Sequence, residues 1–363
     1  PYLDVRKSAE IISRKLKTKL IFGDNLIRSE TLYKQGNGEF QSLPLSHSRI
    51  LSTAEQVIVD MKEGTSSDWQ KKMKRNVVIS PELQKLLEKI YKNNERAVLF
   101  VNRRGYSHTT VCVDCQHIML CEKCDTPLVL HKNESNSKKI FFTCHKCLSE
   151  KPVPEKCPHC KSWRLETFGI GVQKAAEEVA RLFPKIKIFK MNSDIIAKDS
   201  QGREVVNAFL AASGAVLIGT EFIFSYLNQP VERVAIVSVD GLFTIPDFRI
   251  NEKIFQLLLK LRLLAKKTFL VQTRLPEQNV FQNIIKGNIS GFYKEEIENR
   301  KRFNYPPFKL LIKITKDGKN DADVAQETEK LKKNLDEWEP LSYKAFIPKI
   351  KNIYRRHILL KID

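Results

Sequence analysis

The eight cysteines of this chain fall in one stretch as four Cys-x-x-Cys pairs: Cys112/Cys115, Cys121/Cys124, Cys144/Cys147 and Cys157/Cys160. A Cys-x-x-Cys turn points two thiolates at one tetrahedral ion. Two such turns close a four-sulfur site, so the pattern predicts a module built on two zinc ions. Other chemistries also use paired cysteines. Disulfides need an oxidising compartment, yet the opening residues carry no signal-peptide pattern, and a chain of 363 residues rarely confines all its bridges to one patch. An iron–sulfur cluster and a redox dithiol use thiolates too. Evenly built turns with Pro and small polar residues between the ligands, as in Cys157-Pro158-His159-Cys160, are ribbon-like instead.

Spacing permits a sequential and a nested pairing of the turns. The inner run Cys121-x2-Cys124-x19-Cys144-x2-Cys147 has the usual zinc-ribbon spacing. That leaves Cys112/Cys115 with Cys157/Cys160, and we expect the nested arrangement. With four sulfurs per ion no position remains for water, so the metals are expected to hold shape rather than do chemistry. Zinc here stands in for a hydrophobic core, and its binding contributes on the order of 10 kcal/mol to a module too small to fold alone. His131, His145 and His159 lie among the ligands and are read as surface residues or as neighbours of the sulfurs.

Lys and Arg number 62 against 42 Asp and Glu, a net charge of +20. A surplus of this size makes a polyanion the expected partner, and nucleic acid is the commonest one. Basic residues gather at 6–19, 260–267 and 349–356. The longest apolar run, 255–265, is broken by Lys260 and Arg262 and falls short of a membrane span. We therefore expect a cytoplasmic monomer without membrane contact.

Away from the cysteines the chain alternates strands and helices. Ser80-Pro81-Glu82 has the cap, first-position proline and early acid of a helix start, with Leu83, Leu86, Leu87 and Ile90 on one face. Residues 97–102 (AVLFVN) read as a buried strand. Past the cysteines, helices over 173–183, 202–212 and 252–264 alternate with strands over 186–191, 215–220, 234–239 and 268–273. This grammar predicts a doubly wound parallel α/β lobe that the cysteine module interrupts as an insertion. Residues 64–68 read as a loop. Helices over 291–301 and 322–338 and strands over 310–315 and 357–362 predict a small C-terminal α/β domain.

The run Val101-Asn102-Arg103-Arg104-Gly105-Tyr106, followed by the four cysteine pairs, resembles the PriA family of bacterial replication-restart helicases, also called primosomal protein N′. Later landmarks keep the family's order. Ile218-Gly219-Thr220 resembles the opening of helicase motif V, and Pro246-Asp247-Phe248-Arg249 with Phe255-Gln256-Leu257-Leu258 resembles the approach to motif VI. Tyr305-Pro306-Pro307-Phe308 resembles a C-terminal-domain signature. The resemblance implies an ATP- and magnesium-dependent 3′ to 5′ DNA helicase of two RecA-like lobes, with the zinc module inserted in the second. The implied zinc sites are nested, the two outer turns sharing one ion and the two inner turns the other. The implied partners are forks, D-loops and single-strand/duplex junctions of DNA, primosome proteins and single-strand-binding protein.

On this reading residues 1–60 are the tail of the first lobe, 61–105 the start of the second, 106–168 the zinc insertion, 169–280 the rest of the lobe and 281–363 the C-terminal domain. Because the chain opens on Pro1 rather than Met, we expect further polypeptide before it, and family members run somewhat past Asp363. Arg103 and Arg104, at a strand end where such lobes meet phosphates, are the candidate nucleic-acid ligands.

The motor parts depart from the family. No Gly-x4-Gly-Lys-Ser/Thr loop is present, and Asp336-Glu337-Trp338-Glu339 reads as a solvated helix end rather than a magnesium box. Motif III, Gly-Ser-Ala-Thr-Pro-Ser in the family, is Gly23-Asp24-Asn25-Leu26-Ile27-Arg28 here. Ser225 and Tyr226 stand where motif V has lysine and glycine, and Leu264 and Lys267 where motif VI has arginines. An arginine finger is worth about three to five orders of magnitude in rate. We read the motor as impaired. Arg262, two residues along the helix from Leu264, is the nearest substitute. Three readings follow: a restart protein that binds branched DNA and helps assemble the primosome, a non-enzymatic zinc-held platform for primosome proteins, and an RNA-binding zinc-ribbon protein.

Overall fold

The computed structural model describes residues 4–43, 52–62, 78–102, 109–115, 117–123, 126–132, 140–144, 149–168, 170–192, 196, 198–245, 247–350 and 353–363. The chain divides into two compact units, Pro1–Pro44 and Leu45–Asp363. In the first, Asp4 caps helix α1 (Val5–Leu16) by accepting from the N–H groups of Arg6 and Lys7 at 3.0 and 3.3 Å. Lys34 of helix α2 (Ser29–Gly36) pairs with Glu10 of α1 at 2.9 Å. The motif III run 23–28 between them forms no helix or strand.

The second unit is organised by a parallel sheet of six strands: β1 (Glu55–Asp60), β2 (Arg96–Val101), β8 (Lys187–Met191), β9 (Ala215–Gly219), β10 (Val231–Ser238) and β11 (Ala265–Thr273), in the order β1-β11-β10-β2-β9-β8. Strands β2 and β9 are continuous apolar runs buried on both faces, the pattern that a helix-covered parallel sheet requires. The flanking helices are α3 (Pro81–Lys92), α4 (Val172–Leu182), α5 (Asp199–Ala211), α6 (Ile250–Leu264), α7 (Asn279–Lys286) and α8 (Ile289–Arg302). Helix α3 starts as read: Ser80 Oγ accepts from the Leu83 N–H at 3.1 Å, and Leu83, Leu86, Leu87 and Ile90 are buried. This is the α/β architecture of a RecA-like lobe.

Two differences from the sequence reading concern where segments lie. Residues 55–60, read as part of the first lobe's tail, form the edge strand β1 of this sheet, paired with β11 from Glu55–Thr268 to Asp60–Thr273. Helices α7 and α8, straddling the expected boundary at 280, stay on the lobe. The Phe292 ring stacks on Phe255 at 4.1 Å, and buried Arg300 pairs with Glu252 at 3.0 Å and Glu296 at 2.8 Å.

The chain leaves the central sheet after β2 and rejoins it at β8. Between them lies an antiparallel sheet of five short strands, β3 (Thr109–Cys112), β4 (Val129–Lys132), β5 (Ile140–Thr143), β6 (Glu150–Pro152) and β7 (Leu165–Phe168), in the order β6-β5-β4-β3-β7. The C-terminal segment is a three-stranded antiparallel sheet, β12 (Leu310–Gly318), β13 (Leu341–Ile350) and β14 (Ile353–Ile362), with helix α9 (Asp321–Asn334) packed on it. Strand β13 escaped the sequence reading because it carries Pro348. It is an edge strand, where a missing N–H is tolerated. Residues 64–68, read as a loop, lie outside the described residues.

Candidate metal centre and the altered motor positions

Each of the cysteine turns closes with the same backbone bond, from the N–H of its first cysteine to the carbonyl five residues on. Cys112 donates to His117 O at 2.9 Å, Cys121 to Thr126 O at 2.9 Å, Cys144 to Ser149 O at 2.9 Å and Cys157 to Ser162 O at 2.6 Å. Strands β3 and β7 pair with Cys112 opposite Leu165, which carries the first turn to the last. The sulfurs of Cys112 and Cys160 lie 3.5 Å apart, those of Cys115 and Cys157 3.6 Å, and the four ligand atoms all lie within 4.8 Å of one another. A tetrahedral ion with Zn–S bonds of about 2.3 Å needs sulfurs about 3.8 Å apart. The cluster therefore has the donors and the spacing to hold a metal ion.

Burial pushes the Cys115 thiol far up, and hydrogen bonds with the Cys160, Cys112 and Cys157 sulfurs raise it further, although the His117 backbone opposes. A cation among the sulfurs inverts that balance, because its charge stabilises thiolate. His117 and His159 flank the cluster with stacked rings 5.6 Å apart. Burial, then the charge of His159, lowers the His117 pKa. Sequence reading passed over His117; its signal was its place two residues after Cys115. Asp114 fixes the pair of turns from outside, accepting from Arg164 at 2.9 Å and from the Ser162 hydroxyl.

Of the inner cysteines, Cys121 and Cys144 are buried with Met119, Leu128 and Phe142 in the core that also holds Cys112 and Cys157. The Cys121 sulfur lies 3.3 Å from Ser149 Oγ. Cys124, Cys147 and His145, together with the candidate phosphate ligands Arg103 and Arg104, lie outside the described residues.

No protein-family model matches the chain. Individual relatives do. The replication restart protein PriA of Bacillus subtilis is 30% identical over 321 residues, covering 86% of this chain and 38% of the relative. PriA of Borreliella burgdorferi is 27% identical over 372 residues, 99% of this chain and 54% of the relative. PriA of Chlamydia pneumoniae is 30% identical over 309 residues, 80% of this chain and 40% of the relative. The chain belongs to the PriA family as a divergent member. It spans 38 to 54% of the length of these curated relatives.

The residues read as altered motor positions have structural employment. Thr220, at the end of β9, caps a 3-10 turn (Glu221–Ser225), its hydroxyl accepting from the Phe222 N–H at 3.5 Å. Tyr226 follows, and its ring lies over Gly202 in α5. A Cβ on that glycine would stand 2.4 Å from the Tyr226 ring. A glycine inside a helix costs about 1 kcal/mol relative to alanine, and here it makes room for the tyrosine. Burial and a hydrogen bond to Asp199 raise the Tyr226 pKa.

At the other end of the sheet, Lys267 pairs with Glu95 at 2.7 Å, and Arg233 pairs with the same carboxylate at 2.5 Å. Burial pushes the Glu95 carboxyl up, but these two cations outweigh it and hold the pKa below its ordinary value. Arg262, read as the nearest substitute for the motif VI arginines, is enclosed by its neighbours. It is 6% exposed, donates to Gln56 at 3.1 Å, and lies against Gly287, where a Cβ would come within 3.1 Å of its Nη1. Leu264 is the last residue of α6. No helix among the described residues is long and apolar enough to cross a membrane.

Proposed function

We propose that this chain acts in replication restart as a cytoplasmic protein that binds branched DNA through a motor-type lobe without an effective motor, its cysteine module held by two zinc ions. The observation that carries the reading is its kinship with PriA proteins at 30% identity over 86% of its length. The +20 charge supports a nucleic-acid partner. The outer ion would be held by Cys112, Cys115, Cys157 and Cys160, and the inner one by Cys121, Cys124, Cys144 and Cys147. The shared turn geometry of inner and outer cysteines supports that second site. Zinc supplies rigid cross-links here, and the protein's side chains present the surface around them.

The structural use of Tyr226, Lys267 and Arg262 favours a passive binder over an ATP-driven helicase, and with it a role as a platform for primosome proteins. Arg103 and Arg104 remain the proposed phosphate contacts. The test is fluorescence anisotropy at fixed salt with forked, D-loop, single-stranded and plain duplex DNA, paired with ATPase assays and metal analysis. We expect a preference for forks over duplex, no DNA-stimulated hydrolysis, and two equivalents of zinc. Equal affinity for fork and duplex would sink the branched-DNA reading, and brisk fork-stimulated ATP hydrolysis would sink the passive one.

A further inference from the structure

Trp163 is 77% exposed. Tryptophan normally buries most of its ring, and a solvated indole on a stiff support is unusual enough to ask what covers it. The support is stiff. Trp163 sits in the turn Lys161-Ser162-Trp163-Arg164 that leads from the last cysteine into β7. Lys161 takes a left-handed backbone at φ 63°, and its N–H donates to Cys157 O at 2.9 Å. The Arg164 carbonyl accepts from the Val113 N–H at 2.9 Å, and the Leu165 N–H donates to Trp163 O at 3.0 Å. Asp114 holds both Ser162 and Arg164. The backbone on either side of the indole is thus tied to the sulfur cluster and to β3, while the ring stands in water.

Its surroundings decide between occupants. A protein partner would bury an apolar patch, but among the described residues Trp163 is the only large exposed apolar side chain of the cysteine module. Exposed Lys156, His159 and Lys161 lie near it along the chain, with exposed Pro154, Glu155, Pro158 and Cys160 among them, in a protein of charge +20. A single flat aromatic face with Lys156 and Lys161 nearby suits a nucleotide, whose base stacks while its phosphate meets the lysines. We propose that Trp163 is a stacking platform for an unpaired base of single-stranded DNA, placing the strand across the outer cysteine centre. The proposal rests on the DNA-binding reading above and adds a specific contact to it.

The experiment measures binding of the full chain to a labelled single-stranded oligothymidine and to the same backbone carrying abasic sugars, with single-stranded RNA as a third arm. The unmodified chain should bind the base-bearing DNA more tightly than the abasic one. Trp163→Ala should weaken binding to the base-bearing strand by roughly 5- to 150-fold, the range for one lost base–aromatic stack. It should leave the abasic strand unaffected, and Trp163→Phe should recover most of the loss. Metal content and thermal unfolding of the variants serve as controls. Should Trp163→Ala lose metal, the base-against-abasic comparison on the unmodified chain decides alone. Equal affinity of the unmodified chain for both strands, or undiminished binding by a metal-replete Trp163→Ala, overturns the stacking site while leaving DNA binding intact. Tighter binding to RNA than to DNA overturns the assignment to DNA. Failure of the unmodified chain to bind any strand or fork removes the functional reading and the platform with it.

Discussion

In the α/β lobe, β2 buries five of its six residues and β9 all five. In the cysteine module the strands run three or four residues, and one buried cluster joins Met119, Leu128 and Phe142 to Cys112, Cys121, Cys144 and Cys157, with Val111, Ile118 and Val129 buried as well. The lobe closes by excluding water from large apolar surfaces. The module's strands are shorter, and four of its buried residues are cysteines that can serve as ligands. On the proposed metal reading the agent of stability differs: in one region it is written into the covalent chain, in the other it is supplied from outside. That reading predicts a module whose fold can be switched off without unfolding its host.

That contrast can be broken in several ways, and the largest expected effect is metal removal. A chelator, or Cys157→Ser, should withdraw stabilisation on the order of 10 kcal/mol from the module. Hydrogen exchange should then show amides around Val111, Cys112 and Cys144 losing protection while β2 and β9 keep theirs. Protected module amides in metal-free protein would show that its apolar residues suffice. The converse change is Phe100→Ala, which empties a buried site in β2. It should cost about 3–5 kcal/mol in denaturant melts with metal stoichiometry unchanged.

A smaller effect tests whether the altered motif V position is packed rather than merely changed. Gly202→Ala drives a methyl into the Tyr226 ring and should cost about 1–3 kcal/mol, shrinking when Tyr226→Ala is already present. A titration effect belongs to the C-terminal sheet, which has no cysteine cluster and a single helix, α9, packed on it among the described residues. His357, bonded to Thr315 at 3.0 Å, has its pKa lowered from 6.5 to about 4, by burial first and then by Lys313 and Arg355. The unfolded chain takes up this proton first as pH falls. The contribution is therefore whole above pH 6.5, declines toward pH 4 and flattens below it. The difference between unmodified and His357→Gln chains in melts across that window should show the slope; identical profiles would remove His357 from the account.

Much of the lobe was legible beforehand because its signals are local. The Ser80 cap, the apolar runs of β2 and β9 and the amphipathic face of α3 each report on their own segment. Strand β1 was misassigned because the residues that recruit it, 268–273 of β11, lie some two hundred positions away. The same holds for α7 and α8, whose allegiance is set by contacts such as Phe255 with Phe292. Arg262 looked like a spare cation because a sequence gives helical spacing but not the neighbours, Gln56 and Gly287, that enclose it.

The cysteine spacing by itself determined that turns able to hold a metal would form, since a Cys-x-x-Cys turn needs only its own few residues. Which turns meet was decided by the β3–β7 pairing that sets Cys112 opposite Leu165. Tertiary packing likewise decided that Lys267 would serve Glu95, that Tyr226 would lie on Gly202, and that Trp163 would be left in solvent. Local chemistry can be read along a chain because it acts between near neighbours. Burial and pairing act between residues that only the folded path brings together.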